Sequence, residues 1–202
     1  MKEDKDYIRD IAEIRSMMER SSKFLSLSGW AGIMAGIYAF AGALIVWFNL
    51  GFNPDRIDYN TSNDTMLNVL LVSIAVLALA LFTALFDSYR KAKSKGERAW
   101  NATSKRLLIN MAIPLLTGTG MIAIAIYYEL IGLVAPLTLI FYGLALYNAG
   151  NFTFRALRIL GFIQIFLGLL SCLLIEYSLI IWIIGFGLIH ILYGVYMFRY
   201  EK

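Results

Sequence analysis

The chain has 202 residues, of which 59% are apolar and 16% charged, with 18 Lys and Arg against 14 Asp and Glu. Soluble domains carry about a quarter charged residues, and a mean hydropathy of +0.68 sets this chain apart from them. One cysteine, Cys172, and one histidine, His190, exclude a disulfide framework and any zinc cluster of ordinary ligand spacing, so no metal and no cofactor is expected.

The first 23 residues read as a separate element. Tyr7, Ile11, Ile14 and Met18 recur at 4-3-4 spacing and give a helix one apolar face. Arg9–Glu13, Arg15–Glu19 and Glu19–Lys23 are i,i+4 pairs on its remaining surface. Six acidic and six basic residues leave this segment neutral, unlike a basic helix drawn to anionic membrane. It is expected to be a cytoplasmic amphipathic helix that packs on a protein surface. The first apolar run begins only at Phe24 and is too long for a signal-peptide h-region, so no cleavage is expected. The stretch Arg15-Ser16-Met17-Met18-Glu19-Arg20-Ser21-Ser22, leading into that run, resembles small bacterial membrane proteins, a resemblance that implies a bacterial inner membrane and no activity.

Beyond residue 23 the charges cluster, leaving charge-free runs at 24–54, 65–86, 107–128, 130–154, 159–175 and 177–198. A helix needs about 20 apolar residues to cross a hydrocarbon core of roughly 30 Å, whereas a soluble helix keeps one face polar. The runs predict an all-α integral membrane domain over 24–200, a compact bundle of six transmembrane helices at 26–50, 66–86, 107–127, 131–147, 156–175 and 179–198. Seventeen of the eighteen basic residues fall in the N-terminal segment, the second and fourth connections and the C-terminus, and only Arg56 lies on the other side. The positive-inside rule then puts both termini in the cytoplasm. Trp30, Trp47 and Trp182 fall near predicted span ends, where an indole can be half wet. Two hairpins are very short, each with one carboxylate, Glu129 or Glu176, at its tip.

The first span carries a small-residue row, Ser28, Gly32 and Gly36, with a second row of Ala35, Ala39 and Ala43. Lipid supplies no hydrophobic drive between helices, so close backbone approach at such rows holds them together. The partner could be another span or another chain. Asn60-Thr61-Ser62 and Asn63-Asp64-Thr65 match the glycosylation sequon, a motif with many false positives. The basic connection at 90–106 points to anionic headgroups rather than nucleic acid.

In the third span Pro114 withdraws an N–H from the carbonyl of Asn110, and Thr117-Gly118-Thr119-Gly120 follows. This predicts a kinked or locally unwound helix. Gly118-Thr119-Gly120-Met121-Ile122-Ala123 matches a dinucleotide-binding fingerprint as text, but it lacks the preceding strand that the chemistry requires. Tyr142-Gly143 and Tyr193-Gly194 recur near the inner parts of the fourth and sixth spans and suggest related hairpins.

At 1.5 Å per residue, Thr117, Gln164 and His190 fall within one helical turn of the same depth, near midplane. Polar groups there need partners or a water-filled cavity. The three are expected to face one another, with Asn110 further toward the cytoplasm, either as hydrogen-bonded glue or as a ligand pocket. No Ser/His/Asp set, G-x-S-x-G or H-E-x-x-H motif is present, so catalysis is not expected. Two functions fit: a non-enzymatic membrane subunit whose partner is a second copy or another subunit, and a small transporter or channel for a neutral or weakly polar solute.

Overall fold

The computed structural model describes residues 29–51, 63–94, 100 and 102–200. Among them there is no strand, and six helices are long and apolar enough to cross a membrane. They are α1 (Gly29–Asn49), α2 (Asn63–Ser94), α3 (Ala102–Tyr127), α4 (Ile131–Ala149), α5 (Arg155–Leu173) and α6 (Ile175–Arg199). The N-terminal helix expected at 1–23, with Tyr7, Ile11, Ile14 and Met18, lies outside the described residues, as do Ser28 and the first sequon.

Two helices run past their apolar cores. α2 continues through Asp87-Ser88-Tyr89-Arg90 to Ser94, with Lys91 and Lys93 in its last turn, where cations meet unpaired carbonyls. α3 starts at Ala102, before its apolar run. The unwinding expected in α3 does not occur: the helix is continuous through Pro114 and Gly120. Irregularity lies elsewhere, in a π turn that ends α1 (Ile45–Asn49) and a π segment inside α6 (Ile183–Ile189).

α4 packs on α5 and α3, while α6 packs on α1 and, less extensively, on α4 and α5; α2 packs on α1. Glycines make two of these seams. A Cβ built at Gly143 of α4 would stand 2.7 Å from both Gly161 O and Ile165 N of α5, and one at Gly161 would meet Gly143 O and Tyr147 N. The α1–α6 seam repeats this atom for atom: Gly194 faces Gly29 O and Ile33 N, and Gly29 faces Gly194 O and Phe198 N. Two turns along, Gly36 meets Gly187 O and Ile191 N, as Gly168 meets Ile140 N in the other seam. Backbones this close admit no side chain, and dispersion over the long contact holds the seam together. Gly32 and Gly36 therefore spend the small-residue face of α1 inside the chain, on α6. α4 and α6, which carry the two Tyr-Gly pairs, also both begin with a 3₁₀ turn, Ile131–Leu133 and Ile175–Tyr177.

The α3–α4 hairpin turns on Glu129, whose φ of 60° is left-handed. Leu130 N–H donates to Ala125 O at 2.8 Å and Glu129 N–H to Ile126 O at 3.0 Å. This 6→1 and 5→2 pair is the Schellman end of a helix, with glutamate in the place glycine usually takes.

The six helices do not close into a compact bundle. No residue of the most apolar stretch of α2 is buried. Between α2 and α3 runs a lateral cleft of 1640 Å³, with α1, α4 and α6 as its back wall. α2 has no glycine to make a third close seam, and Gly118 of α3 is already occupied by the Phe141 ring of α4.

Candidate functional site

The polar groups of the core gather where α4, α5 and α6 meet. Gln164 of α5 is 0% exposed and His190 of α6 is 4% exposed. Gln164 Nε2 lies 2.8 Å from Gly185 O and 3.2 Å from His190 Nδ1, and His190 Nδ1 lies 2.9 Å from the same Gly185 O. On the far side of the ring, the Tyr142 hydroxyl of α4 is 3.1 Å from His190 Nε2.

One arrangement of protons suits all four distances. A carbonyl oxygen can only accept, so both nitrogens beside Gly185 O donate to it, using its two lone pairs. His190 is then the Nδ1–H tautomer, its Nε2 is bare, and Tyr142 O–H donates there. The 3.2 Å between Gln164 Nε2 and His190 Nδ1 separates two donors converging on one acceptor and is not itself a bond. The other tautomer would set two lone pairs 2.9 Å apart at Gly185 O. Gln164 Oε1 is buried with no hydrogen-bond partner and faces Gly185, where a Cβ would come within 2.7 Å of it. Gly185 thus has no room for a side chain.

The site extends along the cleft wall. On α6, Trp182, Phe186 and His190 follow at four-residue spacing, with ring centroids 4.8 Å and 5.6 Å apart. On α4, Thr138 and Tyr142 stand at the same spacing and serve the two ends. Trp182 Nε1 donates to Thr138 Oγ1 at 3.0 Å, and Thr138 donates to Ala135 O at 2.7 Å. Tyr142 also packs on Phe186, with centroids 5.0 Å apart. These five side chains line the cleft. Trp182, near a predicted span end, is thus also part of this ladder.

Of the residues singled out from sequence, Gln164 and His190 come together. Thr117 does not join them: it is exposed, and its hydroxyl donates to Ile113 O at 2.9 Å. Asn110 likewise bonds back to Arg106 O at 2.8 Å. Pro114 and Gly118 are buried and form the packing face of α3, so Thr117, one residue before Gly118, is turned about 100° away. Tyr142 takes the place expected for Thr117. Its signal was present in the Tyr142-Gly143 pair and in the Thr138/Tyr142 and Trp182/Phe186/His190 spacings.

Chemically the cluster is a set of neutral donors and acceptors, satisfied but for Gln164 Oε1, with a π-helical backbone at its centre, and its aromatic side faces an apolar cleft. Among the described residues no group of three His, Cys, Asp or Glu side chains converges as metal ligands would. Comparison of the chain with protein-family models, with curated proteins and with solved structures finds no match.

Proposed function

We propose that the protein spans a bacterial inner membrane six times, with both termini in the cytoplasm, and serves there as a non-enzymatic subunit that engages another protein chain. The charge distribution supports the orientation, since seventeen of eighteen basic residues share one side. α2 carries the proposal of a partner. Its best membrane window has a mean hydropathy of 2.8, yet none of it is buried within the chain. Away from both α1 and the cleft, Leu71, Ala75, Ala78, Phe82 and Phe86 form a stripe at helical spacing, with two small residues at its centre. The face of α1 that sequence offered to a partner is spent on α6, which leaves α2 and the N-terminal segment as docking elements.

Photo-cross-linkers at Leu71 and Phe82 in native membranes should give a discrete protein adduct, either a dimer or one second chain. The pair Ile11→Glu and Ile14→Glu should weaken it if the N-terminal face contributes. Adducts to lipid alone at every α2 position would overturn the subunit reading.

A second reading, a small transporter or channel for a neutral or weakly polar solute, is favoured by one observation. The π segment of α6 and the Tyr142–His190 pair border the cleft, and π turns recur at functional sites. Under this reading Tyr142→Phe changes solute flux into vesicles while leaving the α2 adduct intact.

A further inference from the structure

The cleft between α2 and α3 is chemically lopsided. Lys93, Trp100, Ser88, Tyr89 and Ser104 line the end on the basic face of the molecule. Arg90 and Lys91 on α2, and Lys105 and Arg106 on α3, lie close by in sequence, and the segment 87–106 holds seven basic residues against two acidic. The opposite end is lined by Met66, Leu67, Ile126 and Ile131 and carries no charge. Between the ends the lining is mostly aliphatic and aromatic; the hydroxyls of Ser73, Thr119 and Thr138 bond back to carbonyls of their own helices, and Tyr142 and His190 near the middle are bonded to each other.

We infer that the half of this cleft next to the basic face holds an anionic phospholipid, its phosphate at Lys93 and an acyl chain running toward the Phe186–His190 ladder. Charge complementarity selects the head. Lysine supplies a point charge for phosphate, and the exposed Trp100 indole suits the headgroup level. Length selects the tail. The apolar run of α2 ends at Phe86, seven residues or about 10 Å of helix from Lys93, the depth of a headgroup; ten further residues, to Val76 of the cleft wall, span about 15 Å, half of a roughly 30 Å core. A tail of one leaflet therefore ends near the Tyr142–His190 pair, where the wall turns aromatic. The cleft opens sideways, so such a lipid enters from the bilayer without crossing water. It fills the space that a third glycine seam would have closed, and it ties α2 to the rest of the chain.

This inference rests on the membrane-spanning reading but not on the existence of a protein partner. The full chain is reconstituted in vesicles containing phosphatidylglycerol with a photoreactive acyl chain, and labelled residues are mapped. Resistance to alkaline extraction, measured on the same vesicles, identifies any preparation that failed to insert, so failure of the membrane reading is seen separately. The expected result is label on Leu81, Leu85 and Leu108, which line the cleft, well above label on Ile109, Ile113 and Leu116, which face outward on α3. Lys93→Gln should lower the cleft label about fivefold, the loss expected for one lysine near an anionic headgroup, while Lys93→Arg retains it. The outward label should not change in either variant. Equal label on both sets of residues, or equal cleft label from a phosphatidylcholine probe, would mean ordinary surrounding lipid and overturn the inference. So would a cleft that takes no label because a protein adduct forms there.

Discussion

The Tyr142 hydroxyl and His190 Nε2 lie 3.1 Å apart, tying α4 to α6 at mid-height of the apolar core. Tyr142→Phe removes the donor and leaves the bare Nε2 of a buried ring without its partner. Hydrogen bonds between membrane helices are worth about 0.6–1.7 kcal/mol, so we expect a loss of that size in unfolding measured in detergent micelles. His190→Gln should cost no less, because Gln cannot span both Gly185 O and Tyr142. In the double variant the two losses should not add. A 15N spectrum of the histidine ring should show Nδ1 protonated and Nε2 bare; the opposite pattern would overturn the proton arrangement drawn above.

Alanine at Gly161 or Gly194 puts a Cβ within 2.5–2.7 Å of backbone atoms on the facing helix. Backbone cannot step aside as a side-chain tip does, so each seam must open, at about 1–3 kcal/mol for overpacking. Gly120 has nothing within 4 Å of its virtual Cβ. Gly120→Ala should therefore be neutral, or stabilising by up to about 1 kcal/mol through helix propensity. Thermal melts of the three variants in one detergent make the comparison. Equal effects at all three positions would show that the seams do not hold the fold.

Glu129→Gly should stabilise the chain. A left-handed residue with a Cβ costs about 1–2 kcal/mol more than glycine in the same conformation, and the turn's two hydrogen bonds are backbone to backbone. Part of the gain is returned because glycine loses more entropy on folding, leaving a net increase of about 1 kcal/mol. A decrease in the melting temperature would mean that the carboxylate itself holds the turn.

Reporter fusions after Asn60 and Glu176 should report the outer side, and fusions after Lys95 and Lys202 the cytoplasm. Moving two of the basic residues at 90–106 into the first outer connection should disturb insertion. A cytoplasmic signal at Asn60 would overturn the orientation and, with it, the leaflet assigned to the lipid.

Helix number was legible in the sequence because charge-free runs long enough to cross a membrane leave little else for the backbone to do. Helix ends were less so. The run Ser88-Tyr89-Arg90-Lys91 reads as a loop by hydropathy, yet it contains no glycine or proline and the helix continues through it to Ser94. Depth was also legible: counting residues from span ends brought Gln164 and His190 to one level, where they meet. The same count placed Thr117 there and failed, because depth says nothing about direction around a helix. Pro114 and Gly118 set that direction by taking the face against α4. The aromatic ladder is not distinguishable by sequence, because Trp182 suits the membrane interface equally well. The open cleft had no signature in any one span. It follows from the absence of glycine in α2, which means something only once the other two seams are seen.

The seam that joins Gly29 and Gly36 to Gly194 and Gly187 ties the first described helix to the last. On a ribosome adding about 5–20 residues per second, α1 emerges roughly 10–30 s before the stretch it must clasp has been made. For that interval its glycine face has no mate, whereas α4 and α5 can zip together almost as soon as they are synthesised. A message truncated before Gly187 would leave that wait without an end, giving a chain with one seam complete and an unclasped α1. Completion of the fold thus certifies that translation has passed Gly194.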